Sequence, residues 1–114
     1  MNLLDTGVLI ENMEEDSYSP TVISIITMLE VLRGLEDKKR SKTRQLLKES
    51  FTVLSLDDDT VEIYCQIYRT LKEKGNLLPD ADLLIAATAI AQNLALETRD
   101  DHFQRLKHFG LKVI

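Results

Sequence analysis

Apolar positions along this chain fall in short runs whose spacing switches between the period of a strand and the period of a helix. MNLLD reads as a short buried strand, and Gly7 to Met13 follows with helical spacing. TVIS (Thr21 to Ser24) reads as a second strand, and Ser24 is placed to cap a helix that runs to Gly34. A basic helix reaches Ser50, a strand covers Thr52 to Leu56, and a long helix runs from Thr60 to Gly75. Asp80 opens and caps a further helix that closes near Asn93. A strand at Leu94 to Glu97, a short helix over Asp101 to Lys107 and a last strand LKVI complete the series. Glycine and proline punctuate the joints, at Gly34, Gly75, Pro79 and Gly110.

Strands that alternate with helices connect through right-handed crossovers, which build a parallel sheet with both faces covered. The expected fold is therefore α/β: a three-layer sandwich with a parallel, about five-stranded sheet flanked by helices. With 114 residues the chain is expected to form one domain over 1–114. Hydrophobic residues make up 44% and charged residues 29%, an ordinary globular balance, and no apolar run reaches the roughly 18 residues of a membrane span. No secretory signal pattern is present, so a cytoplasmic location is expected. The single Cys65 has no partner at metal-ligand spacing, and its stripe with Val61, Tyr64 and Tyr68 suggests a core role.

Four acids stand out against this frame. Asp5 closes the first strand, Glu30 interrupts an apolar run, Asp82 precedes LLIAATAIA, and Asp100 follows the fourth strand. An isolated carboxylate beside buried sequence is costly unless it is paired or bound to a cation. In open parallel sheets ligands bind outside the carboxyl ends of the strands, and the topology brings all four acids to that edge. Each also has a plainer role open to it. Asp5 can cap the first helix, Asp82 can answer a helix dipole, Glu30 can pair with Arg33, and Asp100 and Asp101 can be ordinary loop acids.

The net charge of −5 argues weakly against a nucleic-acid partner, yet most of it resides in these four acids. Lys38 to Lys48 carries six cations and no acid. As a helix it aligns Arg40, Arg44 and Lys48 while Leu47 and Phe51 turn inward. That stripe is either a solvated face or a surface that steers phosphate. His102 and His108 read as structural or solvent-facing and are placed outside the acidic site.

LLDTGVLIE, SIITMLEVLRG, LLPDADLLIAATAIA and TRDDHF, taken in order, resemble the signature segments of the PIN-domain family, and in particular its VapC-type toxin ribonucleases. The resemblance spans nearly the whole chain. It implies a small α/β sandwich in which Asp5, Glu30, Asp82 and Asp100 hold Mg²⁺ or Mn²⁺ for RNA phosphodiester cleavage. It implies that Thr98 supports the metal or its waters, with Thr6 as a second supporting hydroxyl and Asp101 as a possible extra acid. A small VapB-type antitoxin is the implied partner, alongside RNA as substrate. Gly7 stands where relatives commonly carry Asn, and the stretch Glu11 to Pro20 is short for the extra helix many relatives have.

The chemistry of the residues agrees with that implication. Mg²⁺ prefers oxygen ligands and keeps waters, and such ions promote in-line attack on phosphate without a nucleophilic side chain. Two other readings share the same residues: a degenerate module that binds protein or RNA without cutting, and a metal-dependent phosphatase-type domain. The latter would want a lysine after a late strand, where this chain has Arg99. Val8, Leu9, Ile10, Met28, Leu32 and Leu35 exceed what one side of a small sheet needs, which points to a homodimer or antitoxin groove.

Overall fold

The computed structural model describes all residues from Met1 to Ile114. Five short parallel strands form its centre: β1 (Asn2–Leu4), β2 (Thr21–Ser24), β3 (Phe51–Leu54), β4 (Ala95–Glu97) and β5 (Lys112–Val113), in the order β3-β2-β1-β4-β5. Between them run α1 (Thr6–Glu14), α2 (Ile25–Leu32), α3 (Asp37–Ser50), α4 (Asp58–Glu73), α5 (Asp80–Ala91) and the 3₁₀ helix η1 (Asp101–Phe109). The chain steps outward from β1 to β2 and β3, then returns to lay β4 on the other side of β1. That reversal makes the carboxyl ends of β1 and β4 the switch point of the sheet. No helix is long and apolar enough to cross a membrane.

Adjacent residues on a strand face opposite ways, and the two central strands show how the layers separate. Leu3 and Val22 enter one core with Ile67 and Leu71 of α4, Leu83 of α5 and Phe103 of η1. Leu4 and Ile23 enter a second core with Val8 and Leu9 of α1, Met28 and Leu32 of α2 and Leu47 of α3. Both sheet faces are thus covered, which accounts for most of the apolar residues that looked surplus in the sequence. Val8, Leu9, Met28 and Leu32 are buried and Leu35 partly so; of that group only Ile10 is exposed, and it is joined by Leu29.

Several boundaries move for identifiable reasons. β3 begins at Phe51 and stops at Leu54 because its partner β2 runs only from Thr21 to Ser24, leaving Ser55 and Leu56 with no strand to pair with. α4 starts before Thr60 because Asp57 caps it, its Oδ1 accepting from the backbone N–H and the hydroxyl of Thr60, both at 2.8 Å. α5 has Pro79 at its cap position, and Asp80 lies in the first turn rather than capping. Cys65 is exposed, contrary to the core role expected of it. Ile67 anchors the inward face of α4, and a residue two places away lies about 200° around a helix.

Asp80 has a different task. Its Oδ1 accepts from the Tyr64 hydroxyl at 2.7 Å, tying the start of α5 to the middle of α4. This hydrogen bond, helped by burial, pushes the Tyr64 phenol up to about 12 from 10.0. The bonded form is the neutral phenol. Its contribution to stability is therefore complete below pH 10 and is lost as pH rises through about 12. In urea titrations the parent's advantage over Tyr64→Phe is expected to hold steady below pH 10 and to shrink progressively between pH 10 and about 12. A difference that stays constant across that range would contradict the tie.

Candidate metal centre

All four acids singled out in the sequence line one cavity of about 600 Å³ at the carboxyl edge of the sheet, with Thr6, Gly7, Glu11, Arg99 and Asp101 also on its wall. Asp5 reaches it because β1 ends one residue earlier, and its backbone N–H still donates to the Glu97 carbonyl at 2.9 Å. Its side chain is held on both oxygens. Oδ1 accepts from the Thr6 N–H at 2.8 Å, capping α1, and Oδ2 accepts from the Thr98 hydroxyl at 2.8 Å. The capping role and the place in the cavity are both real, and one does not displace the other.

Glu30 is fixed by a chain of hydroxyls. The Thr6 hydroxyl donates to Glu30 Oε1 at 2.7 Å, which leaves Thr6 to accept from Thr27, 3.0 Å away. Thr27 in turn accepts from the Ser24 hydroxyl at 3.4 Å, while its backbone N–H donates to Ser24 Oγ at 3.0 Å. Ser24 and Thr27 are fully buried, so Glu30 is anchored to the core through groups that do not neutralise it. Arg33 does little to change this. Its guanidinium stands 3.9 Å from Glu30 Oε2 and is 69% exposed, the geometry of a loose surface pair.

Asp82 lies in the first turn of α5, and Asp100 caps η1 by accepting from the His102 N–H at 3.3 Å. The Asp100 N–H donates to the Thr98 hydroxyl at 3.0 Å, so Thr98 links the first and fourth acids. The imidazole of His102 sits between Asp82 and Asp100, with Nε2 2.9 Å from Asp82 Oδ2 and Nδ1 in contact with Asp100 Oδ1. His102 therefore belongs to the site, against the expectation that it lay outside. The available signal was its position two residues after a capping acid, where a short helix turns its first side chains back over its own start. Asp101 lines the cavity without a side-chain hydrogen bond, and His108 takes no part.

Burial is the main reason that the Asp82 carboxyl is shifted up from its ordinary value, opposed by His102 and reinforced by the charges of Asp5 and Glu30. A cluster of this kind lacks positive charge. Its donors are carboxylate oxygens, which suit a hard divalent ion such as Mg²⁺ or Mn²⁺. No group of three or more acids and histidines is drawn together tightly enough to grip a bare ion as it stands. That openness fits Mg²⁺, which keeps several waters and takes one or two carboxylates directly. Gly7 lines the cavity, and a Cβ there would meet nothing within 4 Å, so the space does not depend on glycine at that position.

The basic stripe does not join this cavity. Arg40 pairs with Asp37 at 2.7 Å and donates to the Leu35 carbonyl at 3.1 Å. Together with Arg33 and Arg44 it rims a separate apolar hollow of about 300 Å³ formed by Ile25, Met28, Leu29 and Leu32. Lys48 lies near Met1, Thr21 and Phe51, at the opposite, amino-terminal edge of the strands.

Known proteins share this fold. The PIN domain family model matches residues 3–108, and the chain belongs to that family. It is 41% identical over 115 residues to ribonuclease VapC1 of Methanocaldococcus jannaschii, spanning 97% of this chain and 85% of that protein. The structure of VapBC-1 from nontypeable Haemophilus influenzae superposes with a TM-score of 0.83 at 27% identity, covering 99% of this chain and 96% of that one. VapBC-5 from Mycobacterium tuberculosis, a member of the VapBC family of toxin-antitoxin systems, superposes with a TM-score of 0.71 at 26% identity, covering 99% and 94%.

Clustered like charges strain the metal-free protein, and neutralising one of them relieves that strain. The raised Asp82 carboxyl means that its ionised form is disfavoured in the fold, so the cost is present at neutral pH, shrinks as pH falls through the raised value and is gone below the ordinary 3.8. Asp82→Asn is expected to melt a few degrees above the parent in EDTA. Added Mg²⁺ or Mn²⁺ should raise the parent's midpoint more than the variant's, since an ion that binds only the native state stabilises it by about 2.7 kcal/mol at a hundredfold excess over Kd. A variant that melts lower in EDTA, with no response to metal in either protein, would make Asp82 a helix-dipole acid only.

Proposed function

We propose that this chain is a divalent-metal-dependent endoribonuclease acting as one domain over 1–114, the toxin half of a pair with a small VapB-type antitoxin. The observation that carries this reading is the convergence of Asp5, Glu30, Asp82 and Asp100 on one cavity at the sheet's switch point. The ribonuclease name of the 41% identical relative and the toxin-antitoxin description of a structural neighbour support it.

In this reading the four carboxylates would hold Mg²⁺ or Mn²⁺. A divalent ion bound there acidifies water and offsets charge on the phosphate oxygens. The remaining work falls to the chain's own groups. No serine, cysteine or lysine lines the cavity, and its threonine hydroxyl is committed to Glu30, which favours water as the nucleophile. Thr6 and Thr98 hold Asp5 from two sides, and Thr6 with Thr27 holds Glu30, which keeps these acids aimed before substrate arrives. Arg99 is taken by Glu11 at 2.7 Å. Arg33, largely exposed beside Glu30, is free to meet an RNA phosphate.

RNA incubated with the purified protein and Mg²⁺ or Mn²⁺ should be cut, EDTA should abolish the cutting, and Asp5→Asn and Asp82→Asn should each abolish it while the fold is retained. RNA bound by the parent but never cleaved with either metal would replace the enzyme by a binding module.

Arg33 stands 3.9 Å from Glu30 and also rims the separate hollow with Arg40 and Arg44, so in this reading RNA would approach the acids from that side. Arg40→Gln with Arg44→Gln should lower the salt dependence of single-stranded RNA binding by about 0.7 in log–log slope for each phosphate no longer neutralised. Lys48→Gln, at the opposite edge, should leave that slope unchanged. Equal effects from all three would assign the approach to net charge alone.

A further inference from the structure

We infer that His102 is a positioning residue which ties the Asp82 carboxylate to the Asp100 carboxylate, the two side chains of the metal site that receive no threonine hydroxyl. The inference rests on the metal-holding reading of the cavity. Its geometric basis is a bridge in which each ring nitrogen of one imidazole meets a different carboxylate, Nε2 at 2.9 Å from Asp82 Oδ2 and Nδ1 against Asp100 Oδ1.

Asp5 and Glu30 are held by threonine hydroxyls, and Glu30 is tied through them to the buried Thr27. Asp82 has no such support. His102 is its sole side-chain partner, and α5 and η1, which carry the two acids, are otherwise free to offer them at any separation that side-chain rotation allows. The imidazole cannot rotate freely in its turn, because it packs on Phe103 with ring centroids 4.8 Å apart and Phe103 is fully buried in the core. A rigid aromatic anchor thus fixes the spacing of two flexible acids.

The bridge also leaves ligands available. It uses one oxygen of each carboxylate, and Asp82 Oδ1 and Asp100 Oδ2 make no hydrogen bond within the chain. Partners that occupy one oxygen of a ligating carboxylate and leave the other to the ion are the usual outer support of metal sites, and their loss costs about 10–100-fold in metal affinity.

The test is Mn²⁺ affinity of the protein without RNA at one fixed pH, read from the electron paramagnetic resonance signal of the free ion. His102→Ala should weaken Mn²⁺ binding by about 10–100-fold. His102→Gln, which keeps one amide donor near the position of Nε2, should recover part of the loss. In the Asp100→Asn background the effect of His102→Ala should shrink, because the residue acts through that acid. Melting in EDTA controls for folding of each variant. Affinity within twofold of the parent, or tighter than the parent as would follow if the imidazole merely competed with the ion, would overturn the inference and leave the proposed function standing. A parent that does not deplete free Mn²⁺ at all would overturn both.

Discussion

Like charges gathered at one sheet edge repel, and the arrangement around the cavity is a set of answers to that repulsion. A close Arg or Lys partner on every acid would neutralise the cluster that a metal needs. Hydroxyls and backbone N–H groups orient carboxylates while leaving their charge in place. Thr6 does this twice, donating its N–H to Asp5 and its hydroxyl to Glu30, so one residue joins the end of β1 to the middle of α2. The one guanidinium near the acids stands off at 3.9 Å, and the other on the cavity wall is bound to Glu11. The carboxyl of Asp82 is raised chiefly by burial, with the charges of Asp5 and Glu30 adding to it.

Such strain is tolerable because the sheet is covered on both faces. The strands are two to four residues long, too short to hold a layer by hydrogen bonding alone. What holds them is the pair of cores on either side, with Leu3 and Leu4, or Val22 and Ile23, serving one each. A single buried leucine contributes roughly 1.5–3 kcal/mol. The cavity can be electrostatically poor because the layers beneath it are well packed.

The parts of this arrangement that were legible in the sequence are those with local causes. TVIS defines β2 and the start of α2 because a short apolar run and its closing, capping Ser24 are written within four residues. The acids at strand ends were legible for a topological reason, since parallel crossovers bring every such end to one edge. Features that depend on a distant partner were not. The limits of β3 follow from the length of β2, and the phase of α4 follows from the face that Ile67 shows to the sheet, which exposed Cys65. His102 lies in the same class. Its importance comes from Asp82, twenty residues away, and no spacing along the chain announces that contact.

The site is consequently two halves of different stiffness. Asp5 and Glu30 share hydroxyls that reach into the core, and Glu30 is only 21% exposed. Asp100 is 51% exposed on a short helix, and both it and Asp82 are held through one imidazole. An ion that dehydrates reluctantly favours such a division. In the proposed reading the stiff half would fix where an ion sits, because its side chains are tied to the core. The compliant half would let a carboxylate oxygen give way to a water or a phosphate oxygen without dismantling the rest. Phosphodiester chemistry needs that exchange, since charge must be met at different oxygens as a bond forms and another breaks. A uniformly rigid ring of four acids would hold a metal more tightly and accommodate the reacting phosphate less well.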